Sequence, residues 1–144
     1  MKCLICKNPL KFKKLDIKEY NFWKVGLHEN QYYLGRCVAS LKRHLEDLFD
    51  ISEEEKRELF KIVKSLRTAL RKSFSPDLLN YSSLGNEVRH IHLHITPRYK
   101  EDKVFSGIKF EDKRWGKNPS PYDKNFKIPS QVYKEILETI KNSL

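Results

Sequence analysis

Apolar positions recur along the chain at two spacings, and each spacing predicts its own kind of element. Asn21 to Leu27, with Phe22, Trp23, Val25 and Leu27, reads as a strand. His28-Glu29-Asn30 supplies a turn, and Gln31 to Leu41 reads as a second strand of an antiparallel hairpin. Gly35 inside that run predicts a bulge or a close backbone approach. Leu45, Leu48 and Phe49 predict a short helical turn. Leu59, Ile62, Val63, Leu66, Ala69, Leu70 and Phe74 then recur at helical spacing, so a long helix is expected from about Glu53 to Lys72. Ser52 and Glu55 make a capping box at its start, and Arg71-Lys72 suit the dipole at its end. Leu78 to Leu84 reads as a strand joined through a Gly85-Asn86 turn to another, giving a second hairpin. Ser130 is expected to cap a final helix with Val132, Ile136, Leu137 and Ile140 on one face.

Three stretches carry weaker patterns. Lys7-Asn8-Pro9 reads as a turn, and residues 10–20 read as a lysine-rich loop. Residues 100–128 are polar; Val104, Phe105, Ile108, Phe110 and Trp115 supply either one short strand or a packed loop.

The strand after Asn86 concentrates the chemistry. From Arg89 to Tyr99 the chain reads Arg-His-Ile-His-Leu-His-Ile-Thr-Pro-Arg-Tyr. Alternation puts Ile91, Leu93 and Ile95 on one face and His90, His92 and His94 on the other, with same-face neighbours about 6.6 Å apart. Three imidazoles at that spacing can act on one small group such as a phosphate, or divide between a metal and a substrate. Pro97 is expected to end the strand, because it cannot continue an inner ladder. The chain has five histidines, so three within five residues is not the scatter of a solvent face.

The 144 residues are read as one domain, with 39% hydrophobic and 12% aromatic residues to fill its core. Lys plus Arg number 29 against 19 Asp plus Glu, a formal charge of +10 that favours an anionic partner. The basic residues are interspersed with acids and form no arm, so nucleic acid is permitted rather than indicated. With no apolar run of membrane-spanning length and no secretory signal, a soluble cytoplasmic protein is expected. Three cysteines in a reducing compartment do not suggest disulfides. Cys37 reads as a core residue, and Cys3 and Cys6 form a CxxC, which alone is half of a zinc site.

His90-Ile91-His92-Leu93-His94-Ile95-Thr96 resembles the signature of the histidine-triad (HIT) family, with Thr96 at a usually apolar position. Leu34-Gly35-Arg36-Cys37-Val38, Lys42-Arg43-His44 and Glu46-Asp47-Leu48 resemble that family's second strand and helix entry. The resemblance covers residues 1–99, leaving 100–144 as a C-terminal extension and helix. It implies an α+β fold: an antiparallel sheet of about five strands with a long helix packed on it, in agreement with the elements above. It also implies a homodimer joined through its sheets, and hydrolysis of nucleotides at the α-phosphate. The central histidine, His92, would be the nucleophile, forming a nucleotidyl intermediate, and His94 would contact the phosphate or its leaving group. Asn80 resembles the polar residue that touches the phosphates from the preceding strand. Asn86 matches a position often held by Gln or Asn, and reads equally well as a turn residue.

Zinc-bearing members carry an N-terminal CxxC. Carried over, the ligands are Cys3, Cys6, His44 and His90, a closed structural site; the alternative is a reduced, empty CxxC. Two departures stand out. Glu87 occupies a place where many members have a small hydroxyl residue, and the loop that usually offers an Asp to the ribose reads His28-Glu29-Asn30. Glu29 or Asn30 is left for the ribose contact, with His28 as a surface residue. The third histidine, His94, favours hydrolysis over the branches that usually carry Gln there. The expected substrates are dinucleoside polyphosphates or nucleoside phosphoramidates. The alternatives are an aprataxin-like deadenylase of nucleic-acid ends and a non-catalytic nucleotide-binding protein.

Overall fold

The computed structural model describes residues 3–7 and 13–144. The Asn8-Pro9 part of the expected first turn lies outside them, as do residues 10–12 of the expected loop. Five strands, β1 (Asp16–Glu19), β2 (Trp23–Leu27), β3 (Cys37–Leu41), β4 (Leu78–Ser82) and β5 (His92–Arg98), make one antiparallel sheet in the order β1-β2-β3-β5-β4. A separate hairpin pairs β6 (Lys103–Phe105) with β7 (Ile108–Phe110). The helices are α1 (Leu4–Lys7), α2 (Glu53–Phe74) and α3 (Ser130–Ser143). This is the expected α+β architecture.

Register assigns the two faces of the sheet. Trp23 opposite Leu41, Val25 opposite Ala39 and Leu27 opposite Cys37 point inward, continued by Leu93 and Ile95. They pack with Leu59, Ile62, Leu66, Leu70 and Phe74 of α2 and with Val132, Ile136 and Ile140 of α3 in one cluster. Burial of this apolar area is the main favourable term for the fold. The intervening positions, Lys24, Val38, Ser40, His92, His94 and Asn80, fall on the opposite face.

Helix α2 is anchored at its start as its sequence predicts. The Glu55 amide donates to Ser52 Oγ at 3.1 Å and the Ser52 amide to Glu55 Oε2 at 2.8 Å. Arg43 donates to the same carboxylate from Nε at 2.6 Å, which with the cap holds Glu55 below the usual carboxylate range. One turn on, Glu58 accepts the amides of Asn21, Phe22 and Trp23 and so ties α2 to the β1–β2 turn.

Several boundaries differ from the sequence reading. Residues 16–19 of the expected lysine-rich loop pair as β1, because Leu15 and Ile17 are buried beside β2. Residues 31–36 are a turn, not strand: Gln31 is fully buried and its amide bonds the carbonyls of His28 and Arg36 and the amide of Gly35. Gly35 stands there at φ 86°, where a Cβ would lie 2.9 Å from the Phe74 ring. His90 and Ile91 precede β5 instead of beginning it. Pro97 continues β5, opposite Leu79. It is tolerated because β3 reaches only to Ile95, so β5 has a single ladder partner at Pro97. At α3 the cap position is Pro129, without a side-chain bond, and Ser130 is the first helical residue.

The extension is fastened by Arg98. All five guanidinium N–H groups are used: Nε and Nη2 donate to Asp112, Nη1 to Asn80 Oδ1 and the Lys117 carbonyl, and Nη2 also to the Arg114 carbonyl. Residues 112–119 thereby cover the histidine-bearing face beyond His94.

Candidate active site

His92 and His94 project from β5 onto the open face, with ring centroids 5.0 Å apart. The backbone fixes the state of His92. Its Nδ1 lies 2.6 Å from the His90 carbonyl oxygen, which can only accept, so the proton sits on Nδ1 and the lone pair on Nε2. An imidazole in that state can attack phosphorus.

His90 turns the other way. Its Nε2 donates to the Leu41 carbonyl at 2.6 Å, leaving the Nδ1 lone pair for other partners. That Nδ1 lies 3.3 Å from Cys3 Sγ, 3.5 Å from Cys6 Sγ and 3.2 Å from His44 Nδ1. His44 Nδ1 and Cys6 Sγ are 3.8 Å apart, and all four donor atoms lie within 4.8 Å of one another. A tetrahedron with metal–nitrogen bonds of about 2.1 Å and metal–sulfur bonds of about 2.3 Å has edges of about 3.4 to 3.8 Å. The four residues fit a tetrahedral metal site in number, donor type and spacing. Helix α1 and the residue before it supply the two thiols, the chain after β3 supplies His44, and the segment entering β5 supplies His90. The Glu46 carboxylate lies 3.6 Å from His44 Nε2, where it can orient that ring.

On the far side of His94 stand two residues that were not expected at the site. Arg36 Nη2 lies 3.3 Å from His94 Nδ1, and the guanidinium sits 5.0 Å from the centre of the Tyr122 ring. His28 is not a surface residue: its ring is 5.6 Å from that of His94, and its Nδ1 accepts the Asn30 amide at 3.0 Å. Burial, reinforced by Arg36, pushes the His28 imidazole down to about 3 and His94 to about 4. Period two through Arg36, Val38 and Ser40 was the available signal for Arg36. For His28 it was the equivalent position across the hairpin, where its amide bonds the Arg36 carbonyl.

The expected phosphate and ribose contacts are dispersed. Asn80 is opposite Thr96, and its Oδ1 accepts from Arg98. Asn86 and Glu87 are exposed on the loop between β4 and β5. Asn30 uses its side chain within the fold, donating to the Asp123 carbonyl and accepting the Tyr32 amide. Glu29 is exposed, and its carbonyl accepts from the Tyr133 hydroxyl.

Residues 37–101 match the family model of the HIT domain. That stretch holds His44, His90, His92 and His94, while Cys3, Cys6, His28, Arg36 and Tyr122 lie outside it. Over 84 residues the chain is 29% identical to Protein hit of Bacillus subtilis, a match covering 55% of this chain and 58% of that protein. The chain therefore spans less than two thirds of that relative. A hypothetical histidine triad nucleotide-binding protein from Sulfolobus tokodaii superposes with TM-score 0.70 at 20% identity, over 98% of this chain and 91% of that one. A Zn-bound histidine triad family protein from Mycobacterium smegmatis does so with TM-score 0.66 at 20% identity, over 99% and 93%. At these identities the two structures speak for the fold. Residues 37–101 thus resemble the HIT domain in sequence, and the chain as a whole shares the fold of the solved histidine triad proteins.

Proposed function

We propose that the protein is a nucleotide hydrolase that acts at the α-phosphate of dinucleoside polyphosphates or nucleoside phosphoramidates. The observation that carries this reading is the His90 carbonyl bond to His92 Nδ1, which leaves Nε2 nucleophilic on an open face. His92 Nε2 attacks the α-phosphorus, forming a P–N bond as the bond to the leaving group breaks. Water then cleaves the nucleotidyl–His92 bond, releasing a nucleoside monophosphate and restoring the imidazole. His94 donates a hydrogen bond to the phosphoryl group in both steps. Asn80 through its Nδ2, Asn86 and Glu29 are left for the remaining phosphate and ribose contacts, because the Asn30 side chain is engaged within the fold.

The metal in this reading is zinc, held by Cys3, Cys6, His44 and His90. Four protein ligands would leave no open position on the metal, which would fix the N-terminal segment against the residue whose carbonyl orients His92. A homodimer also belongs to the proposal: β4 is an edge strand, and Leu78 and Tyr81 on it are exposed. So does a reducing cytoplasmic setting, which keeps the metal thiols available. Among the described residues no helix is long and apolar enough to cross a membrane.

A second reading, removal of adenylyl groups from nucleic-acid ends, is favoured by one feature. A cleft lined by Tyr32, Tyr122 and Phe126 with Lys109, Lys113 and Arg114, and by Glu111 and Asp123 beside them, offers rings for bases and a small excess of cations for phosphates.

The test is release of nucleoside monophosphate from diadenosine tetraphosphate and from an adenosine phosphoramidate, by the wild type and by His92→Ala. Turnover of either compound that is lost in the variant supports the assignment. No turnover of either by the wild type sets the hydrolase reading aside. Turnover of adenylylated DNA instead would establish the second reading.

A further inference from the structure

Arg36 is half-buried and differs from the buried Arg98 in its partners. Arg98 has every N–H satisfied and a carboxylate partner, whereas Arg36 Nε and Nη1 are buried without a hydrogen-bond partner among the described residues. Its one side-chain hydrogen bond is from Nη2 to His94 Nδ1 at 3.3 Å, and Tyr122 packs against the guanidinium. Shielding part of a guanidinium from water with no acid beside it is unfavourable, and an apolar side chain of similar size would serve packing better. The residue therefore calls for an explanation other than stability.

The direction of the Arg36–His94 bond supplies one. A guanidinium does not deprotonate and only donates, so His94 Nδ1 must accept, and the ring proton must sit on Nε2. We propose that Arg36 is a positioning residue that locks His94 in its neutral Nε2–H tautomer and so makes it a fixed hydrogen-bond donor to the phosphoryl group. This rests on the hydrolase reading for its consequence, though not for its geometry. A positive charge behind the ring strengthens the Nε2–H as a donor when negative charge grows on the phosphoryl oxygens. It also leaves His94 no lone pair at Nε2 with which to act as a general base there.

The groups that face His94 are consistent with this. From its own strand comes His92, from the end of β2 comes His28, from the turn before β3 comes Arg36, and Val38 and Ser82 lie opposite it on the neighbouring strands. Arg36 is the one formal charge among them, and none of them is a carboxylate that could draw a proton onto His94. Burial and Arg36 together hold His94 well below the ordinary imidazole range, in line with the geometric assignment.

The experiment is long-range 1H–15N correlation spectroscopy of the imidazoles in the full chain between pH 5 and 8, with the His94 signals assigned by their loss in His94→Gln. The wild type should show His94 neutral throughout, protonated on Nε2 alone. Arg36→Met should release it to a mixture of tautomers, while Arg36→Lys should keep much of the lock. With a substrate that turns over, Arg36→Met should lower kcat on the order of 100-fold and change KM by no more than about threefold. A wild-type His94 protonated on Nδ1, or charged at neutral pH, overturns the proposal even if the variants do not fold. An unchanged tautomer in a folded Arg36→Met overturns it equally. If the wild type turns over no nucleotide, the hydrolase reading fails, and the spectra still decide the role of Arg36.

Discussion

His90 joins the thiol cluster to His92 through two different parts of one residue. Its ring Nδ1 faces Cys3 Sγ at 3.3 Å, while its backbone carbonyl receives the His92 Nδ1 proton at 2.6 Å. Anything that shifts the ring moves the carbonyl that orients the nucleophile. Cys3→Ser and Cys6→Ser are therefore expected to lose bound zinc, lower the melting temperature and reduce kcat together. The wild type should hold about one zinc per chain by elemental analysis, since four protein ligands close a single site. A wild type without zinc, or a serine variant with unchanged metal content, removes the metal from the account.

Arg98 and Asp112 form a pair with only 3% and 1% of their side chains exposed, fixed by two hydrogen bonds. Removing one partner leaves a charge buried without compensation. Asp112→Ala and Arg98→Met are each expected to cost about 3 to 5 kcal/mol in urea unfolding. Replacing both partners together should cost less than the sum of the two, because no orphan charge then remains.

Gly35 connects the packing of α2 to the position of Arg36. Its φ of 86° and the 2.9 Å that would separate a Cβ from the Phe74 ring leave no room for alanine. Gly35→Ala is expected to destabilise the protein by about 1 to 3 kcal/mol through backbone strain and overpacking. Because the turn also carries Arg36, activity should fall further than the loss of folded protein explains. A loss of stability without such a loss of activity would separate the turn from the site.

What was legible in the sequence was local. The capping box at Ser52, the stripe of α2 and the alternation of β2 and β5 each follow from neighbouring residues, and they were enough for the α+β fold. The CxxC and the histidines could be named as ligands only through the family resemblance, because what unites them is tertiary. β1 escaped notice because only Leu15 and Ile17 are buried there, too few to show a period. The run from Tyr32 to Leu34 imitated a strand because it is apolar, yet Tyr33 packs beneath Arg98 and donates to the Pro119 carbonyl. Its partners lie far downstream in the extension, and no local pattern announces them. Arg36 and His28 were legible only as positions in phase with the outer face: their meaning depends on His94, which reaches them only when the sheet is assembled.

Protonation of the two low-titrating histidines makes a prediction about stability against pH. In the unfolded chain both imidazoles titrate near an ordinary value of about 6.5. In the folded protein burial and the charge of Arg36 hold His28 down at about 3 and His94 at about 4. Above the ordinary value both states are neutral at these positions and the two histidines add no pH dependence. As pH falls below it, the unfolded chain takes up protons that the folded one refuses, so stability declines. Each proton contributes a slope of at most about 1.4 kcal/mol per pH unit. The decline from these two groups ends once the folded values are passed. Urea midpoints measured between pH 7.5 and 5 should fall more steeply for the wild type than for the His28→Gln, His94→Gln double variant. Other titrating groups act on both proteins alike and cancel in the difference. Equal slopes would mean that these imidazoles are already free to charge in the folded state, and that the pocket around Arg36 is wet rather than closed.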